Sequence, residues 1–540
     1  MNFDYVIVGG GSAGCCLAGR LSEDPGNSVC LIEAGPPDTD PRIKIPLALI
    51  NLIGNPRFDW CYESAPHAHM NGHTVSVPRG KILGGSGSIN SMVYIRGRPS
   101  DYDAWARLGC VGWNWESVLP YFIRAESNRR LADDPLHGGD GPLIVEDLRS
   151  PDPMLEQYVA AGKENGIPEN RDFNGVSQEG IGAYQATMRK GRRWSAADAY
   201  LRPAMGRKNL HVVTNAEVES IDFDGKIARR VNLRGERDPV GIDAELILCA
   251  GAIGTPALLL RSGVGPQDHL QELQIPIMHE LPGVGENLHD HPAIAAHYEG
   301  GDSGRGLSFA TLPKLAAAPF EYLFARRGIF ASNLVEGGGF ARTDASLTEP
   351  DVQFHFIPSK VGHIGAKITW GLGYYCDVCV LKPASRGRLR LASSEIDDDP
   401  IIDLNLLSND KDRQTLLRGL KLLRRILSSS ALSGSGASEV VPGPAVQSDD
   451  ELLEYIYERL GTAYHPVGTC RMGDPVDQMT VVDSNLRVMG LENVRIADAS
   501  VMPEIVAGNT NAPTMMIADV AADRMMGRAG HDQIRSRDMT

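Results

Sequence analysis

Three short stretches of this 540-residue chain hold side chains able to do chemistry. In Tyr464-His465-Pro466-Val467-Gly468-Thr469-Cys470, a histidine stands five residues before a cysteine. That pair fits half of a metal site, a thiol nucleophile with its base, or a lone general base beside a core cysteine. His289-Asp290-His291 offers two imidazoles and a carboxylate, but neighbours on an extended segment point to opposite faces, which disfavours a shared metal. Cys376-Asp-Val-Cys379 has redox or zinc spacing without a second such pair, and it lies in the strand-like run "GYYCDVCVLKP", where buried packing is expected. None of the three stretches decides its own role, so the elements that position them must.

The clearest of those elements opens the chain. Residues 4–8, "DYVIV", read as a buried parallel strand; Gly9-Gly-Gly11-Ser-Ala-Gly14 follows, then the helix pattern "CCLAGRLSED" and a second apolar run ending at Glu33. Gly9 permits a tight turn, Gly11 lets the backbone approach a pyrophosphate, and Gly14 lets helix and strand pack closely. The phosphates would sit over the helix N-terminus, and Glu33 would accept from ribose hydroxyls. The motif serves NAD and FAD alike. A second glycine-rich stretch, "PRGKILGGSGSINSMVYIRG" at Pro78–Gly97, places Gly85, Ser86 and Asn90 where backbone runs against something flat or charged.

Six blocks taken together resemble the glucose–methanol–choline oxidoreductases, flavoproteins that oxidise alcohols. They are "VIVGGGSAG…LIEAG", "PRGKILGGSGSIN", "LCAGAIGTPALLLRSGVGP" at 248–266, "LPGVGENLHDHP" at 281–292, "YHPVGTCRMG" at 464–473 and "VRIADASVMPEIVAGNTNAPTMMIAD" at 494–519. The resemblance runs nearly end to end, closest in flavour to bacterial FAD alcohol, polyethylene glycol and choline dehydrogenases. It implies FAD in the N-terminal cradle, with Ser12, Ala13 and Ala34 among its contacts, Val218 at the adenine, and Gly85, Ser86, Asn90 and Val93 beside the flavin. It carries Asp498 and Ala499 over as further contacts, and it implies that the His289–His291 loop lies by the flavin domain without a metal.

Flavin-linked alcohol oxidation needs a hydride acceptor and a base for the hydroxyl proton. Histidine, with an ordinary pKa of about 6.5, suits the second task. Pro466 biases His465 away from helical geometry, fixing it on an extended loop. In the family a His or Asn inside the last block, at the head of its "NTNAPT" run, pairs with this histidine. Here that residue is Asn509, whose amide donates but cannot act as a base, so His465 is expected as proton acceptor and Asn509 as orienting donor. Pro513 is expected as the first helical residue, with Asn511 near the cap, and the helix N-terminus is expected to favour the anionic reduced flavin by about 1 kcal/mol. An O₂-using oxidase and an FAD-containing hydroxynitrile lyase are the alternatives.

The fold expected is α/β: a discontinuous Rossmann-like FAD-binding domain (1–150, 201–300, 451–540) with an inserted substrate domain on an antiparallel sheet (151–200, 301–450). Residues 150–200 read as rich in loops, and 409–428 as a charged amphipathic helix. The net charge of −15 excludes the basic footprint of a nucleic-acid binder. Nine scattered cysteines, no basic leader before the first strand and no run of about 18 apolar residues point to reduced thiols in a cytoplasm. Leu312–Phe330 holds an apolar stretch broken by two prolines and ending in the Arg326-Arg327 pair; a substrate cap is expected, with contact at the inner face of a membrane as the alternative. Partners are an alcohol and an acceptor, quinone or O₂. No glutamate for a choline ammonium stands out, and 6% aromatic content gives no evident cation cage. Since the leading chemistry gives Cys470 no role, Cys470→Ser is expected to keep most alcohol-dependent turnover while His465→Ala loses it, compared in one steady-state assay.

Overall fold

The computed structural model describes residues 1–302, 304–360, 370–434 and 436–528. Strand Asn2–Val8, buried along Val6, Ile7 and Val8, lies in the middle of a parallel sheet, as its unbroken apolar run requires. Val29–Ile32 and then Leu210–Val213 flank it on one side and Val240–Leu248 on the other. Val494–Ile496 pairs in parallel with the end of Val240–Leu248, whose beginning takes the antiparallel hairpin Val218–Asp224 and Ile227–Leu233. Register brings Val8, Ile32, Leu248 and Ile496 to one level, so the loops after these four strands gather at one carboxyl edge, where open α/β sheets bind ligands.

A second sheet is antiparallel, in the order Ala437–Val441, Pro292–Gly300, Gly371–Val380, Val352–Ile357, Gly337–Ala341, Gly180–Ala183. Alternation assigns its faces. Val352, Phe354, Phe356, Cys376 and Val378 are buried beneath helix Asp410–Leu427. Gly419 of that helix lies so close that a Cβ there would stand 3.1 Å from both Val352 and Val378. Gln353, His355, Tyr375 and Asp377 point the opposite way. Cys376 and Cys379, an odd number of residues apart on one strand, therefore project to opposite faces as buried free thiols.

Two expectations need correcting. Strand Pro292–Gly300 falls before residue 300, where the second FAD-domain segment is expected to end, yet it belongs to the antiparallel sheet. Its apolar run suits either sheet, and only its pairing with Gly371–Val380 assigns it. The segment expected to be loop-rich carries helix Met154–Glu164, which buries Met154, Leu155, Tyr158, Ala161 and Gly162 at helical spacing against the substrate sheet and helix Asp410–Leu427. Leu312–Phe330 forms helix Leu312–Ala325 on the surface, with Phe320, Leu323 and Phe324 at 64%, 61% and 82% exposure. Tyr322 turns inward, and its hydroxyl donates to the Lys44 and Gly191 carbonyls. Among the described residues no helix is long and apolar enough to cross a membrane.

Candidate active site

A cavity of about 590 Å³ runs from the carboxyl edge of the parallel sheet to the inner face of the antiparallel one. At its first end Gly9 turns at φ +103°, and a Cβ there would strike the Cys249 carbonyl at 2.5 Å. Gly11, Ser12 and Ala13 line the wall beside it. Gly14 does not reach the cavity; it packs so closely that a Cβ would lie 1.9 Å from the Gly9 carbonyl oxygen. Gly85, at φ +54°, approaches Gly11 from the second glycine loop, leaving 2.7 Å between a Cβ and the Gly11 Cα. The two loops thus pack backbone against backbone at spacings that a Cβ at Gly9 or Gly85 would break.

Glu33 lines the cavity with Ala34 and Val218. Its carboxylate accepts from the Gly10 and Gly35 N–H groups at 2.8 Å each, while burial raises its pKa to about 7. Ser86, Asn90 and Val93 line the middle of the cavity, and Asn90 is fixed by accepting from the Met92 N–H and from Arg193. Ala499 and Asp498 line it from below; Asp498 accepts from the Gly251 N–H, the Thr255 hydroxyl and the Ser500 N–H. The last helix starts earlier than expected. It spans Asn511–Met525 with Thr510 as N-cap, so Pro513 is the third helical residue, buried behind the wall. A proline there costs no hydrogen bond, because the first four N–H groups of a helix have no partner within it. Asn511 does line the cavity and accepts from the Ser12 hydroxyl at 2.6 Å.

At the far end the structure brings His465 and Asn509 together, with 3.2 Å between His465 Nε2 and Asn509 Nδ2, both residues half-buried and lining the cavity. Tyr464, just before, adopts the left-handed region at φ 64°, a cost of about 1–2 kcal/mol for a residue with a Cβ. The loop is held in spite of that cost. The His465 N–H donates to Asp290 Oδ1 at 2.8 Å, and Arg79 donates to the Tyr464 carbonyl. Desolvation, then the neighbouring His291, His355 and Arg79, hold His465 well below the ordinary histidine range, so it is neutral at neutral pH. Cys470 is buried, away from the cavity, with its thiol pushed up by desolvation.

The stretch His289–His291 divides its work. His289 takes Nδ1 to the Asn287 carbonyl and accepts from the Ile505 N–H. Asp290 Oδ1 accepts from the backbone of both His291 (2.7 Å) and His465 (2.8 Å), while burial raises its pKa to about 6. His291 Nδ1 lies 3.1 Å from His465 Nδ1. The sequence reading also missed the antiparallel wall: Gln353 donates to Asn509 Oδ1 at 3.2 Å, and His355 Nδ1 lies 2.7 Å from Asp377 Oδ1. The available signal was alternation, since Gln353 and His355 stand two apart on one strand, and Tyr375 and Asp377 on the next.

The chain is similar to known proteins along nearly its whole length. Family models described as GMC oxidoreductase match residues 3–293 and 383–518. An alcohol dehydrogenase [acceptor] of Pseudomonas putida is 44% identical over 526 residues, covering 96% of this chain and 95% of its own. An oxygen-dependent choline dehydrogenase of Chromohalobacter salexigens is 43% identical, covering 97% and 95%. The crystal structure of pyridoxine 4-oxidase from Mesorbium loti superposes with a TM-score of 0.87 at 33% identity, covering 97% of this chain and 99% of that one.

Asp290 gives this site a stability signature. Asp290→Ala strands two buried N–H groups and is expected to cost about 2 kcal/mol or more, whereas Asp290→Asn keeps the accepting oxygen and should cost about half as much or less, both read from denaturation curves.

Proposed function

The chain belongs to the GMC oxidoreductase family, and on that premise we propose that it oxidises a primary alcohol to the aldehyde with His465 as base and Asn509 as hydrogen-bond donor. It is an FAD-dependent dehydrogenase acting on CH–OH donors, and FAD is its cofactor. The cavity fits that group. Gly9, Gly11, Ser12 and Ala13 would hold the pyrophosphate where added Cβ atoms would collide at Gly9. Glu33 and Ala34 would hold the ribose, Val218 the adenine, and Gly85, Ser86, Asn90, Val93, Asp498, Ala499 and Asn511 the flavin end. When bound, FAD supplies the two-electron acceptor for the hydride that leaves the carbinol carbon.

The observation that carries the proposal is the His465–Asn509 pair, 3.2 Å apart and facing the cavity. One alcohol oxygen placed against both donates its proton to His465 Nε2 and accepts from Asn509 Nδ2 as negative charge develops on it. Gln353 holds the other end of the Asn509 amide, so the donor stays aimed. Leu49, Ile50, Ile53, Leu334, Val335 and Ile357 make the nearby wall apolar, which favours an aliphatic chain beyond the hydroxyl. The acceptor is proposed to be a membrane quinone. The name of the Pseudomonas putida relative favours an acceptor, and the exposed Phe320, Leu323 and Phe324 beside Arg326 and Arg327 form a face suited to anionic lipid.

Anaerobic mixing with alcohols tests the base. Wild-type flavin absorbance should bleach, and His465→Ala should slow bleaching about 10²–10⁴-fold; bleaching at the wild-type rate rejects the assignment. Protonation removes the lone pair of His465, and its depressed pKa moves that loss to acid. The reduction rate should therefore be flat through neutrality and fall only well below pH 6.5. The acceptor is tested separately. Quinone-linked turnover should exceed peroxide formation, and Phe320→Ser/Phe324→Ser should abolish co-sedimentation with anionic vesicles; peroxide as the main product assigns O₂ instead.

A further inference from the structure

The protons around His465 can be counted from their partners. His291 is fully buried, and its Nε2 lies 3.1 Å from the Val506 carbonyl oxygen, which only accepts; Nε2 therefore carries hydrogen. Burial holds His291 at a pKa of about 3, so the ring has one proton and its Nδ1 is a lone pair. That lone pair faces His465 Nδ1 at 3.1 Å, with the rings nearly perpendicular at 87°. Two lone pairs cannot meet at that distance, so His465 Nδ1 must carry the hydrogen. The opposite side agrees. Asn509 Oδ1 accepts from Gln353, which turns the Asn509 NH₂ toward a bare Nε2 on His465.

From this chain of donors we infer that His291 is a positioning residue: anchored by the Val506 carbonyl, its Nδ1 lone pair keeps the His465 proton on Nδ1 and leaves Nε2 bare toward the substrate. The inference rests on the reading of His465 as base. Free histidine slightly prefers the opposite tautomer, in which Nε2 is protonated and useless as a base, so the selection has a purpose. It also serves the product of proton transfer. Once Nε2 has taken the alcohol proton, the Nδ1–H still donates to His291, now as a charge-assisted hydrogen bond. Asp290 fixes the geometry by holding the backbone of both histidines on one oxygen.

The test uses the holoenzyme with ¹⁵N-labelled histidine, the His465 resonances being those lost in His465→Gln. Wild type should show Nδ1 protonated and Nε2 bare. In His291→Phe the Nε2-protonated form should appear, with flavin reduction by alcohol slowed about tenfold or more at an apparent alcohol Kd changed less than about twofold. In His291→Asn, whose Oδ1 can stand where Nδ1 stood, the tautomer and most of the rate should return. A protonated Nε2 in wild type overturns the inference even if the phenylalanine variant does not fold. An unchanged tautomer in His291→Phe, or an asparagine variant as impaired as the phenylalanine one, also overturns it. Failure of the base assignment reads out differently, as wild-type flavin reduction in His465→Ala with the wild-type nitrogen signals unaltered.

Discussion

The hydrogen bond from the Ser12 hydroxyl to Asn511 Oδ1 joins residues 499 apart, each the first residue of its helix. It brings two helix N-termini to one cavity wall, one from the opening cradle and one from the last block of the chain. Beneath it the same helices are cross-linked through charge. Arg20 and Arg124 each meet both Asp519 and Asp523 within 2.7–3.0 Å, and both aspartates are nearly fully buried. Alternating charges satisfy one another there, whereas removing one member would leave an uncompensated buried ion. The cradle and the start of the last helix are therefore held together by Ser12–Asn511 and by these ion pairs, although they stand at opposite ends of the sequence.

The environment of His465 makes two opposing demands. Enclosure in the cavity keeps the imidazole neutral, as a base must be, but the same desolvation would oppose the imidazolium of the proposed proton transfer. A base that is bare but reluctant works best when geometry does the rest. Here geometry is closely determined. The backbone of His465 is held by Asp290, its Nδ1 by His291, and the donor opposite by Gln353. The left-handed Tyr464 that delivers the histidine is the residue whose carbonyl Arg79 grips, so the strained position is held from outside its own loop.

Much of the cradle was legible because each glycine answers a local demand: Gly9 a positive φ, Gly14 a close helix–strand approach, Gly85 both. The pairing of His465 with Asn509 was implied by the family resemblance alone; Pro466 bore only on the extended loop that carries His465. Elsewhere local patterning misled. Pro513 suits the first helical position, yet any place in the first turn spares its missing N–H, so the helix begins at Asn511. Alternation groups Gln353 with His355 and Tyr375 with Asp377, but it does not say which face of their strands meets the cavity. Which face of Val352–Ile357 meets the cavity depends on register with Gly371–Val380, and that register depends on packing beneath Asp410–Leu427. His291 was visible as one of a triplet disfavoured as a metal site and, through the resemblance, as part of a loop by the flavin domain; its contact with His465 was not, because that partner lies 174 residues away.

The proposed catalytic pair, His465 and Asn509, sits on loops associated with the parallel sheet, but its hydrogen-bond partners Gln353 and His291 come from the antiparallel one or its edge. Gln353 comes from the middle of that sheet, and His291 immediately precedes strand Pro292–Gly300. On the proposed mechanism, docking of the two sheets is also what orients the base, since Gln353 and His291 come from the antiparallel sheet and its edge while the glycine cradle does not. The wall that carries Gln353 also faces the cavity, since His355 stands two residues from Gln353 and pairs with Asp377 at the cavity face. A change of substrate made through this wall must therefore leave Gln353 in place, whereas changes on the apolar side, at Leu49, Ile50 or Ile53, are free of that constraint.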